Sequence, residues 1–410
     1  MKYILIIGDG MADNPVPELG GKTPLEAAEK PFIDSLAAKG VLGTVRTVPT
    51  NQPPGSDTGI MSIFGCDPNK YYTGRSPLEA AGTGVEVNAG DVSFRCNMVC
   101  LEDGDMPFDQ KKILSHSAGS IEGEESIAIV TALFTDPEFK AEADKLGIKV
   151  WPAPSFRHIV TQKNGDVEGA TFQPPHDILD KVIGGYKFSG NENAENLWKL
   201  MELSHKVLDH HPLNESRRER GLKPANCVWF WAEGTAVQLP SFVEQYGKYG
   251  GVVSAVPLCH GIAVLTGLYP ISVEGATGET ETNCEGKVQA AFDALMKGDS
   301  FAAVHLEGPD EATHNGNLEE KLLCIKYLDS RIVKPLCEKL DEAGVDYRML
   351  ILADHKTLMS TRGHDGEPVP YLIYDSTVDT GCGLSYTEKN GLTGPFIDAG
   401  TKIMGELIND

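Results

Sequence analysis

The chain has 410 residues, of which 41% are hydrophobic. At ~150 residues per domain it should hold two or three domains with full cores, which excludes a disordered chain. Asp and Glu number 59 against 36 Lys and Arg, and the resulting charge of −23 repels phosphate backbones and anionic lipid, so generic binding to nucleic acid or to a membrane surface is excluded. No apolar run approaches the ~20 residues of a membrane span. The opening MKYILIIGDGMADN is too short in its apolar part for a signal peptide. The nine cysteines are scattered and odd in number, as expected of reduced thiols in a cytoplasmic protein. Cys96 and Cys100 form a lone C-x3-C with no second pair nearby, a weak signal for metal.

In chain order, YILII (3–7) is a continuous β-rich run that breaks at Gly8-Asp9-Gly10. TPLEAAEKPFIDSLAAKG has helical spacing and stops at Gly40. The turn-rich TNQPPGSDTG (50–59) leads into a helix whose start is marked by Ser56-Asp57. From about residue 76 to 250 the texture changes. DVSFRCNMVCLE and IAIVTALF read as strands, IKVWPAPSFRHIVTQK as a strand or hairpin, and NAENLWKLMELSHKVLDHH as an amphipathic helix. Beyond it, FAAVHLEGPD (301–310) and YRMLILADH (347–355) repeat the first pattern, an apolar run ending in acid, with a long helical stretch between them. The outer parts therefore predict an α/β fold with a mostly parallel sheet flanked by helices. The domains are expected at 1–75 with 251–410, and at 76–250 as an inserted α/β or α+β domain.

Three separate strands thus end in Asp9, Asp310 and Asp354, at the sheet edge where such folds bind ligands. Pro309 starts a helix that can carry Asp310 and His314 on one face. His355 adjoins Asp354, and His364 follows in a Gly-rich loop. Singly, an Asp after a strand is usually a helix cap and a His a satisfied surface or core residue. Together, three Asp and three His suffice for two cations, and mixed carboxylate and imidazole suits Mn2+ or Zn2+ better than Ca2+. Two ions ~4 Å apart can clamp both oxygens of a phosphoryl displacement. Ser56 is either the cap of its helix or a nucleophile, which a base or metal would have to activate.

These residues stand in stretches that resemble the cofactor-independent phosphoglycerate mutases of archaeal type, in the alkaline phosphatase superfamily. The stretches are IIGDGMAD (6–13), PPGSDTG (53–59), YYTGRSPLEAAGTGV (71–85), FRCNMV (94–99), HPLNESRRERGLKPAN (211–226), EGATGET (274–280), HLEGPDEATHNG (305–316) and ADHKT (353–357) with His364. The resemblance implies an alkaline-phosphatase-like domain with one metal on Asp9, Ser56, Asp354 and His355 and a second on Asp310, His314 and His364. It implies a phosphoserine at Ser56 and interconversion of 3-phosphoglycerate and 2-phosphoglycerate, a small phosphorylated carboxylate. The inserted domain is then expected to exclude water and to grip the substrate's anionic groups. Arg95, Arg157 and Arg217, helped by Asn97, Asn214 and Asn226, are the candidates.

Two segments depart from the family pattern. VWFWAEGT (228–235) follows the Pro-Ala-Asn triplet where an Arg-bearing segment is common, and His260 stands in LCHGI where a Lys is common. The first is similar to a bacterial branch proposed to be homoserine kinases. A homoserine kinase-like phosphotransferase therefore stays open, although the chain has no GxxxxGK[ST] loop for a nucleotide. A phosphatase of the same superfamily and a silent binding protein with structural metal are further alternatives.

Overall fold

A computed structural model describes residues 1–409. The chain divides into two compact units, one of Met1–Tyr72, Ala81–Thr83 and Gln238–Asp410, the other of Thr73–Ala80 and Gly84–Val237. No helix among the described residues is long and apolar enough to cross a membrane. All nine cysteines are free thiols.

The first unit is built on an eight-stranded sheet. Five neighbouring strands, Tyr347–Leu352, Lys2–Gly8, Phe301–Leu306, Gly250–Val253 and Tyr269–Ile271, run parallel. Val369–Asp375 and Val41–Val45 extend the sheet antiparallel, and Phe396–Ile397 closes that edge. Ile4, Leu5 and Ile6 are fully buried, as are Met349, Leu350 and Ile351. Strands covered on both faces read as unbroken apolar runs, which is why these segments stand out in the sequence. The register sets Gly8 beside Leu306 and Ile7 beside Leu352, so the three acid-ended strands stop level with one another. The long helical stretch before Tyr347 is interrupted by a π-helical turn, Leu328–Val333. Pro335 follows it in the helix Lys334–Glu342 and cannot donate its backbone bond, so the preceding turn widens. This unit resumes at Gln238, ahead of the boundary read from the sequence at 250, because Phe242 packs against Phe64 and Phe301 at ring separations of 6.1 and 4.7 Å.

The second unit is α+β. The fully buried strand Val92–Leu101 pairs antiparallel with Arg157–Gln162 on one side and Cys227–Thr235 on the other. Ile148–Trp151 and Ile113–Ser115 complete a five-stranded sheet. The amphipathic helix is Glu192–Leu208, with Leu197, Leu200, Met201 and Leu208 buried in the core. IAIVTALF is not a strand but the body of a helix, Gly123–Thr135. Its buried residues, Ser126, Ile129, Val130 and Leu133, recur at helical spacing, which outweighs the β preference of Ile and Val. Cys96 and Cys100 lie buried on the central strand and belong to no candidate metal group among the described residues.

Two buried polar features of this unit have measurable consequences. Arg95 pairs with Glu79 through both Nε, at 2.7 Å, and a guanidinium amine, and both side chains are nearly enclosed. Burial alone would raise the Glu79 carboxyl, but Arg95, Arg75 and Arg157 outweigh it and hold it well below the usual range. Glu79→Gln is expected to lower stability by about 3 kcal/mol, because it strands a buried guanidinium. Urea denaturation of the two proteins at pH 7 measures this. His158 is fully buried, accepts from the Ala153 N–H at Nδ1 and meets Ser126 Oγ at Nε2. Burial lowers this imidazole to about 4 from 6.5. The unfolded chain therefore binds the proton first, and stability falls as pH drops from 6.5 towards 4, by ~3 kcal/mol in all. A His158→Asn variant, which cannot take up that proton, is expected to show a flatter denaturation profile over the same window.

Candidate active site

Each acid-ended strand delivers one side chain to the same place. Asp9 follows Lys2–Gly8, Asp354 follows Tyr347–Leu352, and Asp310 lies in the first turn of the helix Gly308–His314 that leaves Phe301–Leu306. Ser56 opens the helix Ser56–Ile63, where first-turn N–H groups favour an anion. Its hydroxyl lies 3.2 Å from His355 Nε2 and 3.5 Å from Asp9 Oδ1. His355 Nε2 is also 3.5 Å from Asp9 Oδ1 and 3.4 Å from Asp354 Oδ2. Beside this group, Asp310 meets His314 Nε2 at 3.1 Å and His364 Nε2 at 3.4 Å, and the two imidazoles face each other at 3.0 Å. Two sets have donor atoms close enough to share a cation, Asp9 with Asp354 and His355, and Asp310 with His355 and His364.

The way these side chains are held fits metal ligation. Each histidine has its Nδ1 beside a backbone carbonyl: His314 at 2.8 Å from Arg362, His355 at 3.2 Å from Lys356, His364 at 3.3 Å from Pro54. That contact fixes the tautomer and turns every Nε2 lone pair inward. Asp354 Oδ1 accepts from the N–H groups of Gly10 and His355, whereas its buried Oδ2 has no hydrogen-bond donor among the described residues. An acceptor with no donor in a dry site is unfavourable unless a cation meets it. Charge gives the same answer. Burial, and then the carboxylates of Asp354, Asp310 and Glu307, push Asp9 well above the ordinary Asp range. At Asp310 burial pushes upward too, but His314, His364 and His355 prevail and hold it well below that range. Hydrogen bonding to Asp310 raises His314 to about 9, so a cation bound here displaces a proton.

Gly10 makes this packing possible. Its φ is +59°, and a Cβ there would stand 2.3 Å from Thr357 Oγ1 and 2.7 Å from Asp310 Oδ1. Thr357 itself donates to Asp310 at 2.6 Å and lies 3.2 Å from His355 Nδ1, linking the two ligand sets. Thr357 and His305 are contributors that the sequence reading did not single out. His305 is buried inside a strand, 2.9 Å from Asp9 Oδ2, and nothing in an apolar run marks it. Burial lowers its imidazole to about 3, with Lys287 adding to the effect.

The seven proposed metal ligands, Asp9, Ser56, Asp310, His314, Asp354, His355 and His364, are brought together in the first unit. The remaining candidates fare differently. In the second unit Arg95 and Arg157 gather at Trp231, 4.8 and 5.7 Å from its ring, with His176 at 5.0 Å and His116 adjoining. Asn97 belongs to this cluster but is occupied, accepting from Trp231 Nε1 and donating to the His116 carbonyl. The departing segment VWFWAEGT therefore builds the wall of a cationic aromatic cluster. Asn214, Arg217 and Asn226 are not among the residues that gather at Trp231, and each is engaged in hydrogen bonds of its own. Asn214 is tied to Leu208 and Ala225. Arg217 holds the Lys223 and Ala118 carbonyls and Glu125. Asn226 bonds Leu101 in both directions and Asp209. All three brace the segment 208–226. His260 lies in the helix Pro257–Leu265 of the first unit, and its buried Nε2 has no hydrogen-bond partner among the described residues.

Comparison with known proteins agrees with this geometry. Residues 37–214 match the family 2,3-bisphosphoglycerate-independent phosphoglycerate mutase. Over the full length of both chains the protein is 42% identical to a Geobacter sulfurreducens protein named probable 2,3-bisphosphoglycerate-independent phosphoglycerate mutase. It is also 42% identical to the enzyme of that name from Methanosarcina acetivorans, covering 96% of each chain. Among solved structures, one from Pyrococcus horikoshii superposes with a TM-score of 0.80 at 30% identity, covering 100% of this chain and 97% of the other. The cofactor-independent phosphoglycerate mutase of Thermoplasma acidophilum gives 0.63 at 25% identity and 99% coverage of both. These names do not favour the homoserine kinase-like alternative. With relatives this similar along their whole length, the chain belongs to the 2,3-bisphosphoglycerate-independent phosphoglycerate mutase family.

Proposed function

We propose that the protein interconverts 3-phosphoglycerate and 2-phosphoglycerate through a phosphoserine at Ser56. The observation that carries this reading is the Ser56 hydroxyl at a helix N-terminus, 3.2 Å from His355 and 3.5 Å from Asp9, beside a second Asp/His set. Asp9, Ser56, Asp354 and His355 would hold one divalent ion and Asp310, His314 and His364 another, with Mn2+ or Zn2+ suiting the mixed donors. Such ions supply charge neutralisation for the moving phosphoryl group and a lowered hydroxyl pKa. Ser56 Oγ attacks phosphorus, the bond from phosphorus to the C3 oxygen breaks, and that oxygen takes a proton. Glycerate turns, its C2 hydroxyl gives up its proton and attacks phosphorus, the bond from phosphorus to Ser56 Oγ breaks, and Oγ takes a proton back. Asp9 Oδ1 and His355 Nε2 are the acceptors within reach of the Ser56 proton. The start of the Ser56 helix would favour the phosphoryl oxygens electrostatically, the Thr58 N–H being given to Asp57 Oδ1 at 2.9 Å. In the second unit Arg157 stands beside the Arg95–Glu79 ion pair, with the His116 and His176 imidazoles shifted towards the neutral form by burial, and its guanidinium is the charge suited to a carboxylate or phosphate. Free thiols throughout accord with work in the reducing cytoplasm.

The test is purified protein with Mn2+ or Zn2+ and 3-phosphoglycerate, coupled to enolase. Steady formation of 2-phosphoglycerate is expected. Free phosphate without isomer would make the protein a phosphatase, and no turnover with any divalent ion would sink the mutase reading.

A further inference from the structure

The carboxylate of Asp9 is divided between two tasks. Its Oδ1 faces Ser56 Oγ and His355 Nε2, each at 3.5 Å. Its Oδ2 faces away from them and meets His305 Nε2 at 2.9 Å. On the other edge of that imidazole, Nδ1 lies 3.1 Å from Ser254 Oγ. Ser254 Oγ already accepts from the Val256 N–H at 3.0 Å, which leaves its own hydrogen for Nδ1. With Nδ1 accepting, the ring carries its proton on Nε2 and donates it to Asp9. Ser254, His305 and Asp9 are 1 to 2% exposed, so water cannot stand in for any of these bonds. The backbone is pinned as well. Lys287, 1% exposed, donates from Nζ to the His305 carbonyl at 3.0 Å, and the Asp9 N–H donates to Leu306 at 2.9 Å.

We propose that His305 is a positioning residue for Asp9: as a neutral donor, oriented by Ser254, it holds Oδ2 and thereby presents Oδ1 and its charge to the ion-binding cluster. Outer-shell partners of this kind orient a ligating carboxylate, and their loss typically weakens metal affinity ~10–100-fold. A neutral donor suits the task better than a cation would, since a cation would cancel the charge that draws the metal. The proposal rests on the metal-binding reading above and says which residue makes its first carboxylate effective.

The experiment is Mn2+ binding to metal-stripped protein, counted from the electron paramagnetic resonance signal of the free ion. His305→Phe keeps the ring's bulk without its donor and is expected to weaken one of two sites ~10–100-fold while sparing the other. His305→Gln places an amide N–H near the position of Nε2 and is expected to restore that site. Equal binding by His305→Phe and wild type, or no recovery in His305→Gln, overturns the proposal. If His305→Phe does not fold, Ser254→Ala decides, with weaker binding at the same site expected and unchanged binding overturning it. Wild-type protein that takes up no Mn2+ or Zn2+ at all would instead overturn the metal reading itself.

Discussion

Ser56→Ala is expected to lower conversion of 3-phosphoglycerate by at least ~10,000-fold, with the fold unchanged. The hydroxyl can form and release a bond to phosphorus, and among the described residues no second hydroxyl has both His355 Nε2 and Asp9 Oδ1 at hand. Thr357, the nearest alternative, is engaged in donating to Asp310. The alanine leaves the three Asp and three His in place, so most of the metal content is expected to survive. Coupled turnover together with metal analysis of the purified variant checks both halves. Turnover within tenfold of wild type would remove Ser56 from the mechanism.

Asp354→Asn is expected to weaken one ion more than ~100-fold, beyond the effect of losing an outer-shell partner, and to abolish turnover with it. Asp354 Oδ1 is held by two backbone N–H groups, and its Oδ2 is the buried acceptor without a donor. The amide removes a charge and turns an NH2 towards a site that needs an acceptor. Mn2+ titration and the enolase-coupled assay measure the two losses, and metal binding equal to wild type would take Asp354 out of the ligand set.

Much of this arrangement was legible because the strands that carry it are covered on both faces. Their apolar runs are unbroken, so an acid at the end of each is conspicuous, and Asp9, Asp310 and Asp354 do converge. IAIVTALF was misleading for the opposite reason: a short, almost wholly apolar segment satisfies both periods, and only packing reveals that Ser126, Ile129, Val130 and Leu133 form one face. Asn214, Arg217 and Asn226 show a second limit. A polar side chain that braces buried backbone has the same letter as one that meets a substrate, and the distinction lies in hydrogen bonds to Leu101, Ala118, Lys223 and Ala225, remote in the chain from some of their partners. His305 was hidden inside a strand, and its significance depends on Asp9 and Ser254 standing on either side of it.

The interior position of the Lys2–Gly8 strand, between Phe301–Leu306 and Tyr347–Leu352, sets an order of events during synthesis. Made first, it has no partner until some three hundred further residues have been translated, roughly 15–60 s at ribosomal speed. Throughout that delay a run of bare isoleucines and leucine is open to wrong pairing or to a chaperone. Residues 84–237 are contiguous and can fold on emergence, whereas the cluster waits for Asp354 and His364, so a chain cut short before residue 347 can have a finished second unit but no complete cluster.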